Sequence, residues 1–141
     1  MAESVLSLNE VAVYQQDNMV LNDISLEVKQ GEFVYLIGKT GSGKSSFMKT
    51  LYADLPLREG QGHIVGFNLK MLPEKDIPHL RRKLGIVFQD FKLLPNKTVF
   101  ENVAFALEVL GQPRQVVRQQ TAQVLELVGL ADKTDRYPAQ L

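Results

Sequence analysis

Gly38-Lys39-Thr40-Gly41-Ser42-Gly43-Lys44-Ser45 decides how the rest of the sequence is read. It fits G-x-x-x-x-G-K-[ST], the pattern of a phosphate-binding loop. Before it, Phe33-Val34-Tyr35-Leu36-Ile37 is apolar and long enough for one buried parallel strand. After it, Ser46-Phe47-Met48-Lys49-Thr50-Leu51-Tyr52-Ala53 reads as helix. Gly38, Gly41 and Gly43 let the backbone curl so that successive N–H groups face an anion. The helix start adds unpaired N–H groups and the positive end of its dipole. Lys44 would reach the β- and γ-phosphates, and the Ser45 hydroxyl would ligate Mg²⁺. The candidate nucleotide contacts are therefore Gly38, Lys39, Thr40, Gly41, Ser42, Gly43, Lys44, Ser45 and Ser46. A glycine turn that binds nothing could carry the same residues, but strand and helix on either side favour the phosphate loop.

Composition narrows the class. A length of 141 residues suits one domain of ordinary size, and 45% hydrophobic content supports a core. Sixteen basic and sixteen acidic residues cancel, so bulk charge argues for neither nucleic acid nor an anionic membrane as partner. With no cysteine, disulfides and thiolate metal sites are excluded, which fits a reducing compartment. No apolar run reaches the length of a membrane-spanning helix, and Met1-Ala2-Glu3-Ser4 lacks the basic-then-apolar start of a signal peptide. The expectation is a soluble cytosolic chain. His63 and His79 lack partners at metal-ligand spacing and are expected on the surface.

Outward from the loop, residues 5–14 are rich in β-formers and predict a strand, with a turn at 15–18. Residues 20–29 alternate from Ile24 to Val28, predicting a half-exposed antiparallel partner. Glu59-Gly60-Gln61-Gly62 reads as a turn, His63-Ile64-Val65 as a short strand and 77–83 as a short basic helix. Leu84-Gly85-Ile86-Val87-Phe88 reads as a second buried strand ending at Gln89-Asp90. Thr98 and Glu101 have capping-box spacing for a helix running to Leu110 and stopped by Gly111. Pro113 opens another, with Val117, Val124, Leu125 and Val128 on one apolar face and Gly129 past its end. Residues 132–141 hold no clear element.

Many families share a phosphate loop. A GTPase needs N-K-x-D, and Asn96-Lys97-Thr98-Val99 ends in valine. Arg81-Arg82-Lys83 could be imagined as the lid of a small-molecule kinase, but three basic residues on a helix are more often a solvated face. Asp90 does not make 85–90 a Walker B strand, because Gln89 interrupts the apolar run. At this point the chain resembles the nucleotide-binding domain of ABC transporters. Tyr14 sits where that family places an aromatic stacking on adenine, and Gln89 matches its Q-loop glutamine. Thr98-Val99-Phe100-Glu101-Asn102-Val103 matches the T-V-x-[DE]-N-[VIL] opening of its helical subdomain. The run Leu80–Leu94 is most like the cell-division subgroup, with lipoprotein-releasing and methionine-import ATPases similar.

The resemblance implies an α/β fold: a P-loop NTPase core of ABC ATPase type with an antiparallel β subdomain, then the start of a helical subdomain. Residues 1–97 would form the core and 98–141 the helical start. It implies ATP and Mg²⁺ as cofactors, Lys44 and Gln89 as catalytic residues, and Ser45 and Gln89 as metal contacts. It also implies a membrane permease and a second, head-to-tail ATPase copy as partners, on the cytoplasmic face of the cell membrane, and no nucleic acid. Asp135-Arg136-Tyr137-Pro138-Ala139-Gln140-Leu141 resembles the approach to the L-S-G-G-x-Q signature. Neither that signature, nor a Walker B aspartate, nor the following glutamate is among these residues. The expectation is the N-terminal portion of such an ATPase, its phosphate-loop strand left with exposed edges.

Overall fold

The computed structural model describes residues 2–141, which divide into one compact unit ending at Ile86 and a second, Val87–Leu141. The first is built on a four-stranded antiparallel sheet of order β2-β1-β3-β4. β1 (Ser4–Gln15) and β2 (Asn18–Lys29) form a hairpin in which Gln15 faces Asn18 across a two-residue turn. The register shifts between Leu8 and Val11, where Glu10 has φ 51°. That irregularity breaks simple alternation and lets Val11, Ala12 and Val13 all be buried.

β3 (Glu59–Ile64) pairs with the other edge of β1, and β4 (Phe67–Asn68) follows. The turn expected at Glu59–Gly62 is therefore strand. Its glycines serve close approach: a Cβ on Gly60 would lie 2.5 Å from the Glu10 carbonyl, and one on Gly62 would lie 2.8 Å from Leu57. Helix α1 (Lys44–Leu51) adds Phe47 to the cluster of Leu6, Leu8, Val11, Val13, Leu57, Ile64 and Leu69. Helix α2 (Ile77–Arg82) contributes the fully buried Leu80, and Arg81 Nε donates to the Tyr52 carbonyl at 3.0 Å.

Two strand expectations are corrected. Residues 33–37 belong to no strand and are exposed, Phe33 at 82% and Ile37 at 87%. Residues 84–88 are likewise outside any strand, with Val87 exposed. A parallel strand exists only by pairing, and every pair among the described residues is antiparallel and made by other segments. Apolar composition alone cannot hold either segment in a sheet.

The second unit carries helices α3 (Val99–Val109) and α4 (Arg114–Leu127). Thr98 and Glu101 form the capping box: the Glu101 N–H donates to Thr98 Oγ1 at 3.1 Å, and the Thr98 N–H to Glu101 Oε1 at 3.2 Å. Gly111 and Gly129, at φ 76° and 78°, close the two helices with paired bonds back into the last turn. The buried stripe of α4 is Val117, Thr121 and Leu125. Val124 and Val128, expected on it, are exposed, because spacing of four residues runs through Thr121 instead. The tail contributes short 3₁₀ turns at Ala131–Lys133 and Pro138–Gln140. The carbonyls of Thr134 and Arg136 accept from the N–H groups of Phe100 and Val99, two of the donors that a helix start leaves over.

Candidate nucleotide-binding site

The Gly38–Ser45 loop ends in α1, whose N-cap is Gly43 at φ 101°. Glycine has no side chain to cap the first N–H groups of the helix, so they are left for a ligand. Gly43 is there for two reasons. Its φ is left-handed, and a Cβ would meet Val20 Cγ1 at 2.6 Å and Leu21 Cγ at 3.0 Å. The loop is thereby pressed onto β2. Gly41, at φ 84°, has open space around it, while a Cβ on Gly38 would lie 2.6 Å from Ser42 Oγ.

Lys44 folds its ammonium over the loop. Nζ donates to the Gly38 carbonyl at 2.5 Å, the Lys39 carbonyl at 2.8 Å and Ser42 Oγ at 3.2 Å. The Ser42 N–H donates to the Lys39 carbonyl at 3.0 Å and tightens the curve. A cation is thus fixed beside uncapped helix N–H groups, a combination suited to phosphate oxygens. Lys39, Thr40 and Ser45 are exposed, and Ser46 accepts from Thr50 Oγ1 at its carbonyl. The Ser45 hydroxyl makes no hydrogen bond among the described residues, so it is free to meet a hard cation. Its chemistry fits Mg²⁺.

Tyr14 lies near the hairpin end of β1, opposite Met19 and next to the Val13–Leu21 pair. Leu21 is one of the two side chains against Gly43, so the aromatic and the loop share one stretch of hairpin. The Tyr14 hydroxyl donates to Glu59 Oε1 at 2.7 Å, and the Arg58 guanidinium lies 5.3 Å from the ring centroid. The hydrogen bond to Glu59 holds the phenol above its ordinary pKa, aided by desolvation and the carboxylate's charge. Nothing in the sequence flagged Arg58 or Glu59. They lie far from Tyr14 in the chain, and only the pairing of β3 with β1 brings them to it.

Gln89 falls in the second unit, exposed in a turn over residues 89–92. Phe91 and Lys92 adopt φ 59° and 52° there, and Lys92 Nζ lies 3.3 Å from Asp90. Asn102 anchors the segment that follows. It accepts from the Leu94 N–H at 2.8 Å and donates to the carbonyls of Leu94, Lys97 and Thr98. Those bonds explain why residues 87–97 pack with the helices.

Among the described residues, no helix is long and apolar enough to cross a membrane, and no group of three or more acidic or histidine side chains could hold a metal.

The ABC transporter family pattern matches residues 21–141. The cell division ATP-binding protein FtsE of Bacillus subtilis is 46% identical over 138 residues, covering 97% of this chain and 60% of that protein. FtsE of Streptococcus pneumoniae is 42% identical over 139 residues, again with 60% of its length covered. The methionine import ATP-binding protein MetN of Carboxydothermus hydrogenoformans is 41% identical over 121 residues, covering 86% of this chain and 36% of that protein. The chain thus spans about three fifths of its FtsE relatives. Among solved structures, the dimeric ATP-binding cassette MJ0796, in a post-hydrolysis state with ADP and Pi, superposes with a TM-score of 0.81. It shares 28% identity and covers 96% of this chain and 62% of that one. With the family pattern matched over residues 21–141 and these relatives beside it, the chain belongs to the ABC transporter family of ATP-binding proteins.

Proposed function

We propose that this chain is the nucleotide-binding portion of an FtsE-type ATPase, which couples ATP binding and hydrolysis to a membrane permease of the FtsX kind. The observation that carries the reading is the loop itself: uncapped N–H groups at a left-handed Gly43, with the Lys44 ammonium held beside them. Residues Gly38 to Ser46 would cradle the phosphates, Lys44 would neutralise their charge and Ser45 would ligate Mg²⁺. Bound Mg²⁺ would draw charge from the β- and γ-phosphate oxygens. Tyr14 would stack on adenine. The role of Gln89, contact with metal or attacking water, rests on the family resemblance alone. So does a functional boundary between residues 97 and 98.

In the proposed ATPase, a second copy would complete the site head to tail, and the pair would sit on the inner face of the cell membrane. Phe91 and Leu93, exposed beside Gln89, are available to a permease. A second reading, the ATPase of a methionine-type importer, is favoured by the MetN likeness; the FtsE relatives are the more identical, at 42% and 46% against 41% and 38%. Purifying the protein with its native permease separates the two.

The nucleotide-binding reading is tested by titrating ATP with and without Mg²⁺. The chain should bind more tightly with Mg²⁺, and Ser45→Ala should lose that difference. Equal affinity with and without the metal rules out the Ser45 role, and absence of ATP binding rules out the function.

A further inference from the structure

We infer that Arg58 is a positioning residue for the nucleotide base, acting through the ring of Tyr14; this rests on the nucleotide-binding reading above. Two contacts meet at that ring, and a third holds the cation in place. The hydroxyl is tied to Glu59 at 2.7 Å, the guanidinium carbon of Arg58 stands 5.3 Å from the centroid, and Arg58 Nη1 lies 3.7 Å from Asp17 Oδ1. Asp17 belongs to the hairpin turn and Glu59 opens β3, so Arg58 bridges two elements across the ring. Its side chain keeps 44% exposure, that of a surface clamp rather than a core group.

The arrangement has a directional consequence. A guanidinium on a tyrosine covers one face of it. Among the described residues no other ring or cation contacts Tyr14, and we place the base on the face away from Arg58. Hairpin register puts Tyr14 next in the strand to Val13, whose partner Leu21 lies, with Val20, against the glycine that starts the phosphate-loop helix. A base stacked there would complete a three-layer stack of guanidinium, phenol ring and purine. Holding the ring at both its hydroxyl and its face spares binding the entropy of ordering it.

The test compares ligands with and without a base. Arg58→Ala should weaken binding of ATP and ADP by about two- to five-fold, the range of a surface cation–π contact, and leave inorganic tripolyphosphate binding unchanged. In a Tyr14→Ala background the same substitution should have no further effect. Arg58→Gln, which keeps the stem without the charge, repeats the comparison should alanine loosen the start of β3. The inference is overturned if tripolyphosphate weakens equally, if the effect persists without the Tyr14 ring, or if ATP binding is unchanged or tightened. Should Tyr14→Ala bind ATP like the unsubstituted chain while Lys44→Ala does not, the inference falls and the phosphate-loop reading stands.

Discussion

Replacing Gly43 with alanine probes the loop where geometry is tightest. A left-handed φ costs a non-glycine residue about 1–2 kcal/mol. The added Cβ would lie 2.6 Å from Val20 Cγ1 and 3.0 Å from Leu21 Cγ. Both distances fall short of the roughly 3.5–4.0 Å of favourable carbon contact. Overpacking of that kind adds about 1–3 kcal/mol, for a sum of about 2–5 kcal/mol in stability. Gly41→Ala is the internal control. Its φ of 84° is equally left-handed, but nothing lies within 4 Å of the new Cβ, so only the first contribution, about 1–2 kcal/mol, applies. Urea denaturation of the two variants should therefore separate them, and trimming Val20 to alanine in the Gly43→Ala chain should restore part of the loss. Equal destabilisation by Gly41→Ala and Gly43→Ala would refute the claim that the loop is pressed onto β2.

Other expectations follow from the second unit and from the residues the chain contains. Glu101→Ala removes half of the capping box and should lower the melting temperature. Hydrogen bonds from Thr98 lower the Glu101 pKa, so this contribution is full above the ordinary carboxylate value and is lost as pH falls through the lowered one; an acid titration of helix content should show it, and Glu101→Gln should flatten it. Thr121 is fully buried with its hydroxyl unpartnered, so Thr121→Val should be neutral or stabilising, by up to about 1–3 kcal/mol in thermal denaturation. In a phosphate-release assay the 141-residue chain should hydrolyse ATP no faster than background, since it lacks the signature and the carboxylate base.

Local chemistry made most elements legible. Alternation at 24–28 gave β2, the Thr98/Glu101 pair gave the start of α3, and Gly111 and Gly129 gave two helix ends. The loop was readable because its glycines and lysine act within eight consecutive residues. What failed was non-local. Residues 33–37 carry the composition of a strand, but strand formation depends on a neighbour that composition does not encode. Gly60 and Gly62 signal a turn and a close strand approach with the same letter. The phase of α4 hinged on burying Thr121, a polar residue, rather than Val124. The clamp on Tyr14 required knowing that β3 lies beside β1.

Lys44, held over the Gly38–Ser45 loop, is proposed as the cation that binds nucleotide phosphate. Calorimetric titration of ATP with Mg²⁺ into the chain and into Lys44→Ala measures this directly. A charge-assisted contact is worth about 1.5–3 kcal/mol, so affinity should fall at least about tenfold with helix content unchanged. Equal ATP affinity in the two proteins would remove Lys44 from that role.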